Sequence, residues 1–209
     1  MNANSLLDMI GGQLQGGTID DISSQLGTDA NTTSNAISMA LPILLGGLAS
    51  NAAQPAGAQA LDQALGEDHD GALLDNVSSL FGMGGAGSGA GGAGAKILGH
   101  ILGGRQAPIE QGVGRATGMS TQQVSQLLMM LAPLVMAGLG RMKRQQGMGA
   151  QQLPGVLQNE RAEIERRAPE AAGLGGLFDM NKDGQIMDDI ARIGTGVLGG
   201  ILGGGGRRA

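Results

Sequence analysis

Apolar positions recur along this chain at helical spacing, and glycine and proline punctuate them. Leu6, Leu7, Met9 and Ile10 mark a short amphipathic helix over residues 5–14, which Gly11-Gly12 is expected to end. Ile19, Ile22 and Leu26 stand at i, i+3 and i+7, one face of a second helix. Gly27 suits the left-handed residue after that helix, and Asp29 suits the N-cap of the next, running from Ala30 toward Ala49. Pro42 lies inside this run and predicts a kink or a division, because it removes a backbone donor and clashes one turn back. Ile109 and Val113 then lead to Gly118, Ser120 caps, and Thr121 to Arg141 forms a second long apolar helix broken at Pro133. Lys143 and Arg144 suit its C-terminal end, where cations offset the helix dipole.

The two long runs echo each other. A shift of 91 positions places Gly27, Ser34, Met39, Pro42, Gly47 and Leu48 on Gly118, Ser125, Met130, Pro133, Gly138 and Leu139. Asp68-His69-Asp70-Gly71 with Asp75-Asn76 is echoed later by Asn181-Lys182-Asp183-Gly184 with Asp188-Asp189. The pattern reads as a tandem duplication, and repetition favours a scaffold or binding architecture over a single catalytic centre. No strand-length alternation of period two occurs, so the expected class is all-α.

The expected organisation is a first helical unit over 1–81 and a flexible Gly/Ala-rich linker over 82–96. A second unit over 97–144 and a linker over 145–155 follow, then a final segment over 156–209. Within the first unit, residues 50–58 read as a connection to a short helix at 59–65. In the last segment, Arg161/Glu165 and Glu163/Arg167 stand four apart on an exposed helix that Pro169 ends. Beyond it, Gly196, Gly200 and Gly204 also stand four apart, a spacing that lets helices approach closely.

Composition narrows the chemistry. The 209 residues include 41 Gly, roughly three times the usual share, with 12 Met, 2 Phe and neither Trp nor Tyr. Ala, Leu, Ile and Met must therefore fill the interior. At helical spacing Met129, Met130 and Met136 are read as core rather than as an adaptable partner surface. Net charge is −5 with no long basic stripe and no aromatic platform, which argues against nucleic-acid binding. The absence of cysteine excludes disulfides and thiol catalysis, and fits a cytoplasmic protein. The N-terminus lacks the basic and long apolar regions of a signal peptide. No stretch is expected to reach the ~18 apolar residues of a spanning helix, the nearest being the glycine-rich Ile193 to Gly206.

The sharpest chemical signal is Asp179 to Asp189. Asp179, Asn181 and Asp183 offer side-chain oxygens at alternating positions, Gly184 permits the reversal, and Gln185 offers its backbone carbonyl. This opening resembles the calcium loops of EF-hand and dockerin modules, a likeness confined to about a dozen residues. The usual closing Glu is replaced by Ile190, so Asp188 or Asp189 would complete the shell. The plainer alternative is that Asp183-Gly184 only starts a helix. In the earlier loop, Asp68, Asp70 and Asp75 are weaker candidates, and helix capping is preferred there. His69 and His100 are the only histidines and belong to no catalytic motif. No nucleophile–base set or phosphate loop is recognisable, so the expected protein is not an enzyme.

Gln25-Leu26-Gly27-Thr28-Asp29, Leu41-Pro42-Ile43-Leu44-Leu45-Gly46-Gly47-Leu48, Ile97-Leu98-Gly99-His100-Ile101-Leu102-Gly103-Gly104 and Leu131-Ala132-Pro133 occur in order. Together with Asp68-His69-Asp70-Gly71-Ala72-Leu73-Leu74, this set resembles the YidB-like family (DUF937), bacterial proteins of unknown function. The resemblance implies an all-α bundle and carries no activity, cofactor or catalytic residue. The resulting expectation is a non-enzymatic interaction or structural module, with a protein partner or self-association and calcium as the one candidate cofactor. One alternative is a membrane-peripheral protein using its Gly/Leu-rich C-terminus, where Arg207-Arg208 follows an apolar end. A less favoured alternative is an enzyme with an unrecognised site.

Overall fold

The chain is described by a computed structural model, which covers residues 5–14, 17–67, 74 and 90–167. Among the described residues every regular element is helical, and the all-α class holds. The helices are α1 (Leu6–Gln13), α2 (Thr18–Leu26), α3 (Ala30–Ala52), α4 (Pro55–Glu67), α5 (Ala90–Leu102), α6 (Gln106–Thr117), α7 (Thr121–Gln146) and α8 (Leu153–Arg167). A 3-10 turn, Gly103–Arg105, joins α5 to α6.

The local rules set the boundaries of the two long helices. Gly27 and Gly118 adopt the left-handed conformation, with φ of 64° and 78°. After α2 the amides of Gly27 and Thr28 return to the carbonyls of Ser24 and Ser23, a paired closure that satisfies the last turn. Asp29 then caps α3 by accepting from the Thr32 amide at 2.9 Å. Ser120 caps α7 reciprocally with Gln123, each side chain accepting from the other residue's backbone N–H, at 3.2 and 2.9 Å.

Several boundaries differ from the sequence expectation. α1 continues through Gly11-Gly12 to Gln13 because Leu6, Ile10 and Leu14 are all buried and reward one more turn. α3 and α7 run unbroken through Pro42 and Pro133. Packing on several sides holds them, which outweighs one missing hydrogen bond in each. Residues 90–96, expected in the flexible linker, form the first turns of α5. α4 and α8 also begin earlier than expected, at Pro55 and Leu153. Pro55 suits a first helical position, where its missing N–H has no intrahelical partner to lose.

α3 and α7 are the two central helices. α7 packs against α1 to α6, and α3 packs against α2 and against α4 to α8. Every residue from Leu131 to Gly140 is buried, so α7 is enclosed all round in this stretch. One apolar cluster draws on all eight helices, from Leu6 and Ile10 of α1 to Leu153 and Leu157 of α8. The two echoing blocks interleave. Ile101 of α5 packs onto Gly47 of α3, where an added Cβ would stand 2.7 Å from its Cγ2. Leu6 and Ile10 of α1 pack onto Gly138 of α7, at 2.6 and 3.3 Å from the same hypothetical atom. Ile10 and Ile101 themselves lie 91 positions apart, as do the two glycines. The first block thus seats its leading helix α1 on the long helix of the second, while α5 packs on both long helices.

Candidate functional site

The candidate calcium ligands Asp179, Asn181, Asp183, Gln185, Asp188 and Asp189 lie outside the described residues, as do Asp68, His69, Asp70 and Asp75. Among the described residues, no group of three or more His, Asp or Glu stands together as a metal site. His100 is exposed on α5, and its backbone carbonyl accepts from Asn51 Nδ2 at 2.9 Å. The expected Arg161/Glu165 and Glu163/Arg167 pairs involve side chains beyond those described.

The long-range polar contacts tie helices together. Glu160 of α8 accepts from both the Ser5 hydroxyl and the Leu6 amide at 3.0 Å, so a distant carboxylate caps α1. Gln123 Nε2 donates to the Leu26 carbonyl at 2.9 Å, joining the start of α7 to the end of α2. Lys143 Nζ lies 2.8 Å from the Asp62 carboxylate and donates to the Asp62 carbonyl at 2.7 Å. It stands in the last turn of α7, where a cation offsets the dipole, and it also secures α4. At Asp29, the Thr32 hydroxyl and then the Thr32 amide hold the carboxyl below the usual carboxylate range. The buried polar residues Ser5, Thr18, Ser23 and Thr33 are likewise engaged in helix-end or turn hydrogen bonds.

The feature that residue-by-residue chemistry missed is a face. Met39, Pro42, Ile43 and Gly46 of α3 stand at i, i+3, i+4 and i+7 and are all half-buried. Exposed Asn35 and Ser38 border this stripe. Its counterparts 91 positions on are Met130, Pro133, Leu134 and Ala137, of which the last three are fully buried. Proline lacks an amide hydrogen, so the carbonyl four residues earlier loses its helical donor. In α7 that carbonyl belongs to Met129, and Gly94 of α5 lies so close that an added Cβ would overlap its oxygen. In α3 the corresponding carbonyl belongs to Ser38. The stripe was legible in principle as a second apolar line on α3, beside Ile37, Leu41, Leu44 and Leu48.

The methionines divide as core residues. Met136 is buried, and Met129 and Met130 are partly buried against the cluster. α3 and α7 correct one expectation, because both are long and apolar enough to cross a membrane, with mean hydropathy of 1.3 and 1.5 over 18 residues. The same windows are 56% and 72% buried within the fold, as core helices are.

The profile of a family described as "Bacterial protein of unknown function (DUF937)" matches residues 8–142, well over half of the chain. The chain belongs to that family. The DUF937 region runs from within α1 to the last turns of α7, and so contains both echoing blocks and the two central helices. α8, the Asp179–Asp189 sequence and the Gly/Leu-rich C-terminal sequence follow it. Neither the curated proteins nor the solved structures provide a match.

Proposed function

We propose that this DUF937 protein is a non-enzymatic helical interaction module, with calcium held at the 179–189 loop. The observation that carries the interaction reading is the half-buried apolar stripe of α3, three of whose four counterparts on α7 are buried inside the fold. Contiguous apolar surface on a helix is a docking feature, and Met within it adapts to varied partners. The polar contacts described above support the same reading, since they are used to cap and join helices. The cation reading rests on ligand spacing: Asp179, Asn181 and Asp183 supply hard oxygen donors, and Asp188 or Asp189 closes the shell. The partner is a protein or a second copy of the chain, in the cytoplasm.

Calorimetric titration of the full chain with calcium tests the cation reading, with magnesium and an Asp179→Ala/Asp183→Ala variant as controls. Saturable heat that the variant loses is expected. No heat would reduce the loop to a helix start and leave a plain helical scaffold. Sedimentation velocity at rising concentration, in calcium and in chelator, tests self-association. A mass that never rises would leave a different protein as the partner.

Membrane contact is the second reading, favoured by the apolar Ile193 to Gly206 segment and the Arg207-Arg208 that follows it. Co-sedimentation with anionic vesicles, compared with a Leu198→Asp/Ile201→Asp variant, separates it. Equal partitioning of the two proteins would remove this reading.

A further inference from the structure

A second copy of the α5 sequence stands near the C-terminus. A shift of 100 positions places Gly94, Leu98, Ile101, Leu102 and Gly103-Gly104 on Gly194, Leu198, Ile201, Leu202 and Gly203-Gly204, with Ile97 on Val197. The glycine that meets the Met129 carbonyl and the apolar residues that α5 buries are therefore reproduced at the same spacing. We infer that residues 193–204 dock in the same chain on the outer stripe of α3, as α5 docks on α7. Gly194 would meet the Ser38 carbonyl, and Val197 and Leu198 would lie toward Met39, Pro42, Ile43 and Gly46.

Three observations meet in this assignment. The stripe on α3 is half-buried where its α7 counterpart is covered. Pro42 leaves the Ser38 carbonyl without its helical donor, as Pro133 does for Met129, and a Cα–H approach from glycine is the contact the fold already uses there. The chain after α8 also starts in the right place, because α8 itself packs on α3. Residues 168–192 separate the end of α8 from the docking segment. Extended at about 3.3 Å per residue, that connection reaches any point on a helix of α3's length. A tether this short also gives a high local concentration, which favours docking within one chain over docking between chains. The C-terminal segment then shields the face that the interaction reading assigns to a partner, and the test separates the two ideas.

The chain contains no cysteine, so single thiols report cleanly. Maleimide labelling of full-length Ser38→Cys is expected to be slow, and severalfold faster when Leu198→Asp and Ile201→Asp are added. A thiol at exposed Gln158→Cys should label at one rate in both backgrounds. Equal rates at position 38 would overturn the docking while leaving the stripe open for a partner. With the apolar residues intact, a bismaleimide should join Ser38→Cys to Gly196→Cys within one chain. Cross-linked dimers alone would overturn docking within the chain and make the occupant a second copy, and no cross-link at all would overturn both.

Discussion

At the residue scale, the glycines that matter are those where a helix leaves no room for a methyl group. They are not equivalent. At Gly94 an added Cβ meets the Met129 backbone, which cannot move without shifting α7. At Gly47 it meets the Ile101 side chain at 2.7 Å and the Ile101 carbonyl at 2.9 Å. At Gly138 it meets the end of the Leu6 side chain, which can rotate away. Alanine substitution should therefore destabilise most at Gly94, by about 1–3 kcal/mol as in other overpacked sites, and less at Gly47. Gly138→Ala should be near neutral, because a helix gain of about 1 kcal/mol offsets the crowding. Urea denaturation of the three variants checks the order. Asp29 gives a pH prediction. Its carboxyl is held below the ordinary range by Thr32, so its contribution is present above the unfolded-state pKa and is lost as pH falls through the folded one. Asp29→Asn should lower stability at neutral pH and flatten this acid-side loss, read as urea midpoints from neutral to strongly acid pH.

At the element scale, two caps were readable and one was not. Asp29 and Ser120 stand immediately before apolar runs, with donors three residues on, and both cap as that spacing implies. Ser120→Ala should cost about 1 kcal/mol, seen as a lower urea midpoint. The cap of α1 comes from Glu160, more than 150 residues away, and no local pattern announces it. Its two bonds are charge-assisted, so Glu160→Ala should cost roughly 1.5–3 kcal/mol and speed amide exchange in α1 and α8 together. Faster exchange confined to α8 would show that α1 does not depend on this carboxylate. The prolines teach the same lesson from the other side. Local chemistry predicts interruption at Pro42 and Pro133, yet each lies in a long helix that neighbours hold on several sides.

At the scale of the whole molecule, the interleaving of the two blocks makes the described helices one cooperative body. α1 rests on the second block's long helix and α5 bridges the long helices of both, so the core is shared between the blocks. Unfolding should show a single transition, with circular dichroism and thermal calorimetry coincident. Two separable transitions would mean that the blocks stand apart. Lys143 adds a tie between α7 and α4, and Lys143→Met should lower stability by about 1 kcal/mol, an ordinary value for one hydrogen bond or a partly exposed ion pair, without splitting that transition.

The amino-acid sequence determined the helical class, the left-handed Gly27 and its echo Gly118, the N-caps at Asp29 and Ser120 and the echo between the two blocks. Each of these follows from contacts within a few residues or from direct comparison of the chain with itself. Which helix covers which was decided only by tertiary structure. An apolar face records that it must be buried and does not name its partner. Residues 90–96 show the difference most clearly. By composition Gly91-Gly92-Ala93-Gly94 reads as a joint, yet the absence of a side chain at Gly94 is what allows α5 to lie against the Met129 carbonyl. The carbonyl is open to that approach because Pro133, four residues on, has no hydrogen to give it.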